Sequence, residues 1–246
     1  MTTSDRIAIR AGYEATFGLW DASLDALLEV SPETVGHFLS YAALPWSSAA
    51  LTRKDKALIS LAVHASATTL HAPGVDYYTR LARHHGAAKG EIVEVLQLVS
   101  VVGIHSATTG LPIAFEIFDG EDEAPAPGHD ALRESFAAKR GYWNEILESL
   151  LRASPAFLES YTAFSSVPWR EGSLTARLKE LVYVAMNASA SHLFEPGLKI
   201  HIANARGHGA SLAEIVTTLQ LAGLLGQASL ALGGQALLDR TIEAHP

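Results

Sequence analysis

The chain repeats itself at one constant offset. Tyr13 aligns with Phe136, a separation of 123 residues (136 − 13), and no gap interrupts that register to the end of the second copy. Gly18 and Trp20 match Gly141 and Trp143, and Ser31-Pro32 matches Ser154-Pro155. Pro45-Trp46, Leu51-Thr52 and Pro73-Gly74 match Pro168-Trp169, Leu174-Thr175 and Pro196-Gly197. Glu91-Ile92-Val93 matches Glu214-Ile215-Val216, and Leu96-Gln97-Leu98 matches Leu219-Gln220-Leu221. A register held this long is a duplication, so the fold must be one unit used twice. The first unit spans 1–118 and the second 131–246, joined by the acidic, Pro-rich "DGEDEAPAPGHD" at 119–130, which reads as an exposed linker. Such a pair imitates a homodimer inside one chain, and its halves are free to diverge.

Both units read as helical, because Ala and Leu dominate and β-branched alternation is scarce. Ser31-Pro32 and Ser154-Pro155 place a capping Ser before a Pro at the first helical position. Thr52 and Thr175 precede segments 53–70 and 176–193, which are apolar around most of their circumference and so predict central, buried helices. Pro73 and Pro196 then open a shorter helix that Gly86 and Gly209 close. Ser211 with Glu214 forms a capping box, weakened in the first copy to Ala88 with Glu91. The last helices, about 90–118 and 213–241, carry Gly103/Gly226 and Gly110/Gly233, which predict close helix approach. The expectation is an all-α fold of about five or six helices per unit, forming a pseudo-dimer.

Composition narrows the function classes. The net charge is −8 with no basic run, which excludes a phosphate-backbone reader. There is no cysteine, so disulfides, thiolate metal sites and thiol nucleophiles are all absent. The N-terminus "MTTSDRIAIR" lacks a signal peptide's apolar stretch, and the Ala/Leu-rich end at 219–238 is interrupted by Gln and Gly. The reading is a cytoplasmic protein that acts on a small molecule, with no nucleic-acid or membrane partner. No phosphate-binding Gly loop, dinucleotide fingerprint, Gly-x-Ser-x-Gly elbow or HExxH pair occurs, so no cofactor and no metal are expected.

The segment "LTARLKELVYVAMNASASHLFEPGLKIHIANARGHGASLAEIVTTLQL" resembles the carboxymuconolactone decarboxylase family, which includes the alkyl hydroperoxidase D-like proteins. The resemblance rests on the long apolar helix, "EPGLKIH", the spacing from His201 to Gly209 and the "EIV..LQL" helix, and the first copy carries the same frame. It implies two tandem alkyl hydroperoxidase D-like helical units. The hydroperoxidase-like branch uses a Glu, a Cys-x-x-Cys pair and a His. Here the two Cys positions fall at Phe194 and Gly197, and in the first copy at His71 and Gly74, so thiol peroxidase chemistry is excluded. The cysteine-free, decarboxylase-like branch keeps a Glu and a His at the places of Glu195 and His201. That branch implies cofactor-free acid/base chemistry on a small organic acid or lactone, in a homo-oligomer.

Three residues carry the expected chemistry. His201 lies on the stripe Leu198, His201, Ile202, Ala205 and faces the apolar side of its helix, as a general acid/base or as a satisfied core His. Glu195 sits just before Pro196, where it would cap the helix and orient or charge a nearby His. His105 shares a stripe with Leu98, Val101 and Val102, and Ala228 replaces it in the second copy. Each copy therefore holds an inward His that the other lacks, since Tyr78 stands in place of His201, and one composite pocket could use both. His192, Lys199, Tyr78 and Thr69 complete the set expected near substrate.

These residues predict a cofactor-independent lyase or isomerase. Two rivals stand beside it: a non-catalytic ligand-binding or assembly module, and a metal-assisted hydrolase or oxygenase built on His105, His192 and His201. Two or three tandem chains per oligomer would both fit.

Overall fold

The computed structural model describes residues 2–118, 128–170 and 172–238. Most of the 119–130 linker, like the chain's last eight residues, therefore lies outside the described residues. The first unit contains α1 (Thr3–Phe17), α2 (Asp25–Val30), α3 (Pro32–Ser47), α4 (Arg53–Ala65), α5 (Ala72–His84), α6 (Lys89–Ser100) and α7 (Ile104–Ile117). The second contains α8 (His129–Arg140), α9 (Glu148–Ala153), α10 (Pro155–Ser165), α11 (Val167–Arg170), α12 (Ala176–Ala188), α13 (Glu195–Gly207), α14 (Leu212–Gly223) and α15 (Gln227–Leu238). No strand occurs among the described residues. Both units hold more helices than five or six, because α2, α9 and α11 are only four to six residues long and too short to show a helical period.

The duplication recurs in structure, although α3 is one helix where the second unit has α10 and α11. The pairs α2/α9, α4/α12, α5/α13, α6/α14 and α7/α15 all begin 123 residues apart. Thr52 and Thr175 cap α4 and α12 by accepting the amides of Asp55 and Leu178 at 3.1 and 3.2 Å. Trp20 donates to Asp25 as Trp143 donates to Glu148. Lys54 pairs with Glu91 as Arg177 pairs with Glu214. Even a strained turn recurs: Leu70 and Leu193 have φ of 47° and 45°.

The helices α4 and α12 pack on each other at the centre, wrapped by α6 and α14. Both are buried along almost their whole length, as expected, and end at Ala65 and Ala188. Leu58, Ile59, Leu61 and Leu181 are fully buried there, each stabilising the fold by roughly 1.5–3 kcal/mol. One continuous core therefore serves both units.

The C-terminal helices are exchanged. The first unit's α7 lies on α9 of the second unit, and the second unit's α15 lies on α2 of the first. A smaller core follows from this, in which Ile104 of α7 joins Phe136, Leu147, Leu151 and Leu158.

Two expectations are corrected. A Cβ at Gly103, Gly110, Gly226 or Gly233 would meet nothing within 4 Å, so these residues do not mark close packing. Gly103 and Gly226 instead end single 3-10 turns that link α6 to α7 and α14 to α15. Close approaches occur instead at Gly18, Gly74, Gly172, Gly197 and Gly234. By length and composition, Lys89–Ile117 and Leu212–Ala236 are also apolar enough to cross a membrane, with mean hydropathy 1.5, despite the Gln and Gly residues within them. In the fold they supply buried core positions such as Val95, Leu98 and Leu221.

Candidate functional site

The site forms where α13 starts against the end of α12. A Cβ at Gly197 would lie 2.5 Å from Asn187 Oδ1, so glycine is what lets the two helices meet. One turn further on, His201 is 8 % exposed and faces α12. Its Nδ1 lies 2.7 Å from Glu180 Oε2, and Asn204 Nδ2 lies 3.4 Å from Glu180 Oε1. Glu180 is 1 % exposed. As a carboxylate it accepts the Nδ1 proton, which fixes the tautomer and leaves Nε2 as the nitrogen available for chemistry.

Tyr183, one turn along α12, lays its ring 4.5 Å from the His201 ring. Its hydroxyl accepts from Arg140 Nη2 at 3.4 Å. Arg140, the last residue of α8, is 5 % exposed, and its Nη1 donates to the Ser165 carbonyl at 3.1 Å. The guanidinium sits 5.2 Å from the Trp169 ring, while its Nε has no partner. Among the described residues no carboxylate lies within ion-pair distance of it. Burial raises the phenols of Tyr183 and Tyr161, the latter to about 12, so both stay neutral.

His201, Tyr183, Arg140 and His105 line one cavity with Val102, Ile104 and Met186, of about 50 Å³. His105 and Ile104 reach it because α7 crosses onto the second unit. His105 Nδ1 lies 2.8 Å from His192 Nε2, and Phe194 stacks on the His105 ring at 4.0 Å. Burial, reinforced by the charges of His192 and His201, holds His105 down at about 4, so it is neutral at neutral pH. Burial also lowers His192. His105 and Val102 line an open outer cleft with Thr68, His192 and Phe194 as well, and so form the wall between cleft and cavity.

The structure thus brings together His201, His105 and, one bond further out, His192. It places the other expected residues elsewhere. Glu195 is the first residue of α13, not its cap, and is exposed and paired with Lys199 at 2.6 Å. Its carboxylate points to solvent, and the acid that meets His201 is Glu180. Lys199 is exposed for the same reason. His192 lies in the turn after α12 rather than on the helix, and Thr69 bonds Ser191 at 2.7 Å in the matching turn.

Tyr78 is buried in the first unit's counterpart, where its ring packs 4.9 Å from His64. There Tyr13, Phe17, Tyr77 and Tyr78 are core residues at the positions of Phe136, Arg140, Ile200 and His201. Ala57 stands for Glu180 and Ser60 for Tyr183. Aromatic rings occupy what is a lined cavity in the second unit. His64 and His71 face each other there at 2.9 Å. Burial, with His71 adding to it, pushes His64 down to about 3.

Glu180 and Arg140 were not singled out from sequence. Comparison of the copies carries the signal for both, since a Glu inside an apolar helix faces Ala57 and an Arg faces Phe17. No three His, Asp or Glu side chains cluster as metal ligands among the described residues.

The carboxymuconolactone decarboxylase family model matches residues 32–115 and 155–237, one match per unit. The chain belongs to the carboxymuconolactone decarboxylase family. A crystal structure from Burkholderia xenovorans LB400, of a protein provisionally named a gamma-carboxymuconolactone decarboxylase subunit, is 35% identical. It superposes with a TM-score of 0.92, covering 98% of each chain. No curated protein matches. In this family member the tandem fold runs through both matched segments, and the Glu180–His201 pair falls inside the second.

Proposed function

We propose that the chain is a cofactor-independent lyase of the decarboxylase type, or an isomerase, acting on a small organic acid or lactone in the second unit's cavity. The observation that carries this reading is the buried Glu180–His201 pair, which leaves one imidazole nitrogen for the cavity. In decarboxylation the C–C bond to the carboxylate breaks, carbon dioxide leaves, and the electron pair stays on carbon. His201, protonated at Nε2, delivers its proton to that carbon and is reprotonated from solvent. Glu180 holds the ring in place and stabilises the imidazolium, as the acid of a Ser-His-Asp triad does for its His. Isomerisation uses the same two groups, with a proton taken from one carbon and returned to another. His105 completes the wall and its bond to His192 leads to the outer cleft.

The test is turnover of a panel of unsaturated lactone and keto acids by wild type and His201→Gln. Loss of turnover with an unchanged melting temperature supports the reading. Undiminished turnover overturns it. A second reading, a ligand-binding module without chemistry, draws on the aromatic filling of the first unit's site, which shows that the scaffold persists without His and Glu. Ligand binding with no turnover across the panel would favour it. Self-association belongs to the same proposal: Ile113, Ile117 and Phe118 are exposed along α7 and its end, and sedimentation velocity would show whether they are covered.

A further inference from the structure

Arg140 is a permanent cation that the fold has buried and left underused. A guanidinium carries five N–H donors. Two of them are engaged, by the Ser165 carbonyl and by Tyr183 at 3.4 Å, and Nε has no partner. Trp169 and Tyr183 face it with their rings, which tolerate a cation but do not neutralise it. The acid nearest in role, Glu180, is committed to His201 and Asn204. A buried cation without an ion-pair partner is costly, and its usual resolution is an anion. The first unit has Phe17 at this place and Ala57 at that of Glu180, so both charges are absent where aromatic rings pack.

The shape of the cavity selects the anion. Its volume of about 50 Å³ is a third of the ~150 Å³ that takes a benzene, and its other walls include Val102, Ile104 and Met186. One planar, singly charged head and a short apolar tail fit that lining. Arg140 is the one Arg or Lys among the residues that line it, which matches a single negative charge.

The charge count then sets a consequence. With Arg140 positive and Glu180 negative, the buried set is neutral while His201 is neutral. The other titratable groups on the cavity wall are Tyr183, Tyr142, Tyr161 and His105, and none carries charge at neutral pH, because burial raises the phenols and lowers His105. Bringing in a carboxylate makes the set net negative, unless His201 gains a proton. We propose that the cavity binds a small monocarboxylate on Arg140 and that this binding draws one proton onto His201. The acid that a decarboxylation needs is thus created by the arrival of substrate. This rests on the lyase reading for its purpose but not for its test, which measures binding and protonation alone.

Propionate and its neutral isostere propionamide are titrated into the full chain. The Trp169 indole N–H is followed by NMR as the binding signal, and the His201 imidazole, labelled with ¹⁵N and assigned from the His201→Gln spectrum, as the protonation signal. Propionate should bind saturably and move the His201 nitrogens toward imidazolium, while propionamide should do neither. Affinity should weaken toward high pH, approaching tenfold per pH unit, and His201→Gln should abolish that dependence. Arg140→Met should weaken propionate at least tenfold. Equal binding of propionamide, tighter binding of inorganic phosphate, or saturable binding without a change at His201 overturns the proposal, and these results come from wild type, so they stand even if Arg140→Met fails to fold. Propionate binding with proton uptake but no turnover of any substrate would instead remove the lyase reading and leave the site.

Discussion

Glu180→Gln tests the pair at the centre of the site with the smallest change of shape. Glu180 is 1 % exposed, and its Oε2 takes the His201 Nδ1 proton at 2.7 Å. A hydrogen bond to a charged group contributes about 1.5–3 kcal/mol against about 0.5–1.5 kcal/mol for a neutral one. Gln keeps an acceptor for His201, so that loss is roughly 1–1.5 kcal/mol. Its amide nitrogen then faces Asn204 Nδ2, a donor against a donor, in place of the 3.4 Å contact. The expected total is about 1–2 kcal/mol, which for a chain of this size lowers Tm by roughly 2–8 °C. The effect on chemistry is larger, because the imidazolium loses its anion and the ring its fixed tautomer. The corresponding Asp→Asn change in a serine protease costs about 10⁴ in kcat. A loss of at least about 10² in turnover is expected here. Thermal melts by circular dichroism and turnover of the same substrate panel are the assays. A Tm at or above wild type together with turnover within threefold would refute both the energetic and the catalytic reasoning.

Three further perturbations probe the scaffold. His64 and His105 are held at about 3 and about 4, below the unfolded value of 6.5, so in the window between, the unfolded chain binds more protons than the native one. Stability is therefore full above about pH 6.5 and falls toward pH 4 by up to about 1.4 kcal/mol per pH unit for each His; urea midpoints from pH 7.5 to 5 should drop, and His64→Gln should flatten the slope, while a flat wild-type profile would contradict the burial of these rings. Lys179 and Glu94 form a buried pair at 2.9 Å, so Glu94→Ala should destabilise by about 3–5 kcal/mol; Glu94→Leu with Lys179→Met should recover only the part due to the unpaired lysine, because Glu94 also accepts the Ser173 and Leu174 amides, and equal losses in single and double variants would show that the pair itself is not the cause. A Cβ at position 74 would fall 2.0 Å from His64 Nδ1, so Gly74→Ala should cost about 1–3 kcal/mol in a denaturant melt, and an unchanged midpoint would mean that the helix start can retreat.

The architecture was legible because two independent copies of the pattern had to agree. A cap at Thr52 is an ordinary motif, but Thr52 and Thr175 at one offset, each before an apolar run, leave little else to be built. His201 was legible for the same reason, as a polar residue on an apolar stripe. Glu195 is near His201 in sequence, whereas Glu180, the acid that bonds its Nδ1, is 21 residues away and meets it only once α12 and α13 fold back on each other. Arg140 is further still, on α8, and nothing local marks the end of a surface-patterned helix as buried. His105 could be matched with His201 only by asking which inward residues differ between copies, and its actual route into the site, the exchange of α7 onto the other unit, has no sequence signature.

That exchange also explains how the two sites could part. In a symmetric homodimer each site would take α12-type and α13-type residues from one subunit and α7-type residues from the other, and any substitution would alter both sites at once. In the tandem chain the contributions are encoded separately. Ala228 on α15 supplies no imidazole to the first unit's site, and Tyr78, Tyr77 and Tyr13 fill it. Gln227 at the head of α15 then bonds Asp21 at 2.8 Å, where Ile104 and Asn144 stand in the second unit. At the positions of Arg140, Ile200 and His201 the filled site buries Phe17, Tyr77 and Tyr78, at a stabilisation of roughly 1.5–3 kcal/mol each, where the open one buries Arg140 and His201 with Glu180 and Tyr183 beside them. The first unit can therefore carry the stability that the second spends on a charged cavity. Emptying the first site by Tyr78→Ala should cost about 3–5 kcal/mol and leave carboxylate binding in the second unit unchanged, since none of the second cavity's walls is a first-site aromatic. Loss of binding in a variant that still folds would show that the two halves are coupled through α4 and α12 rather than independent.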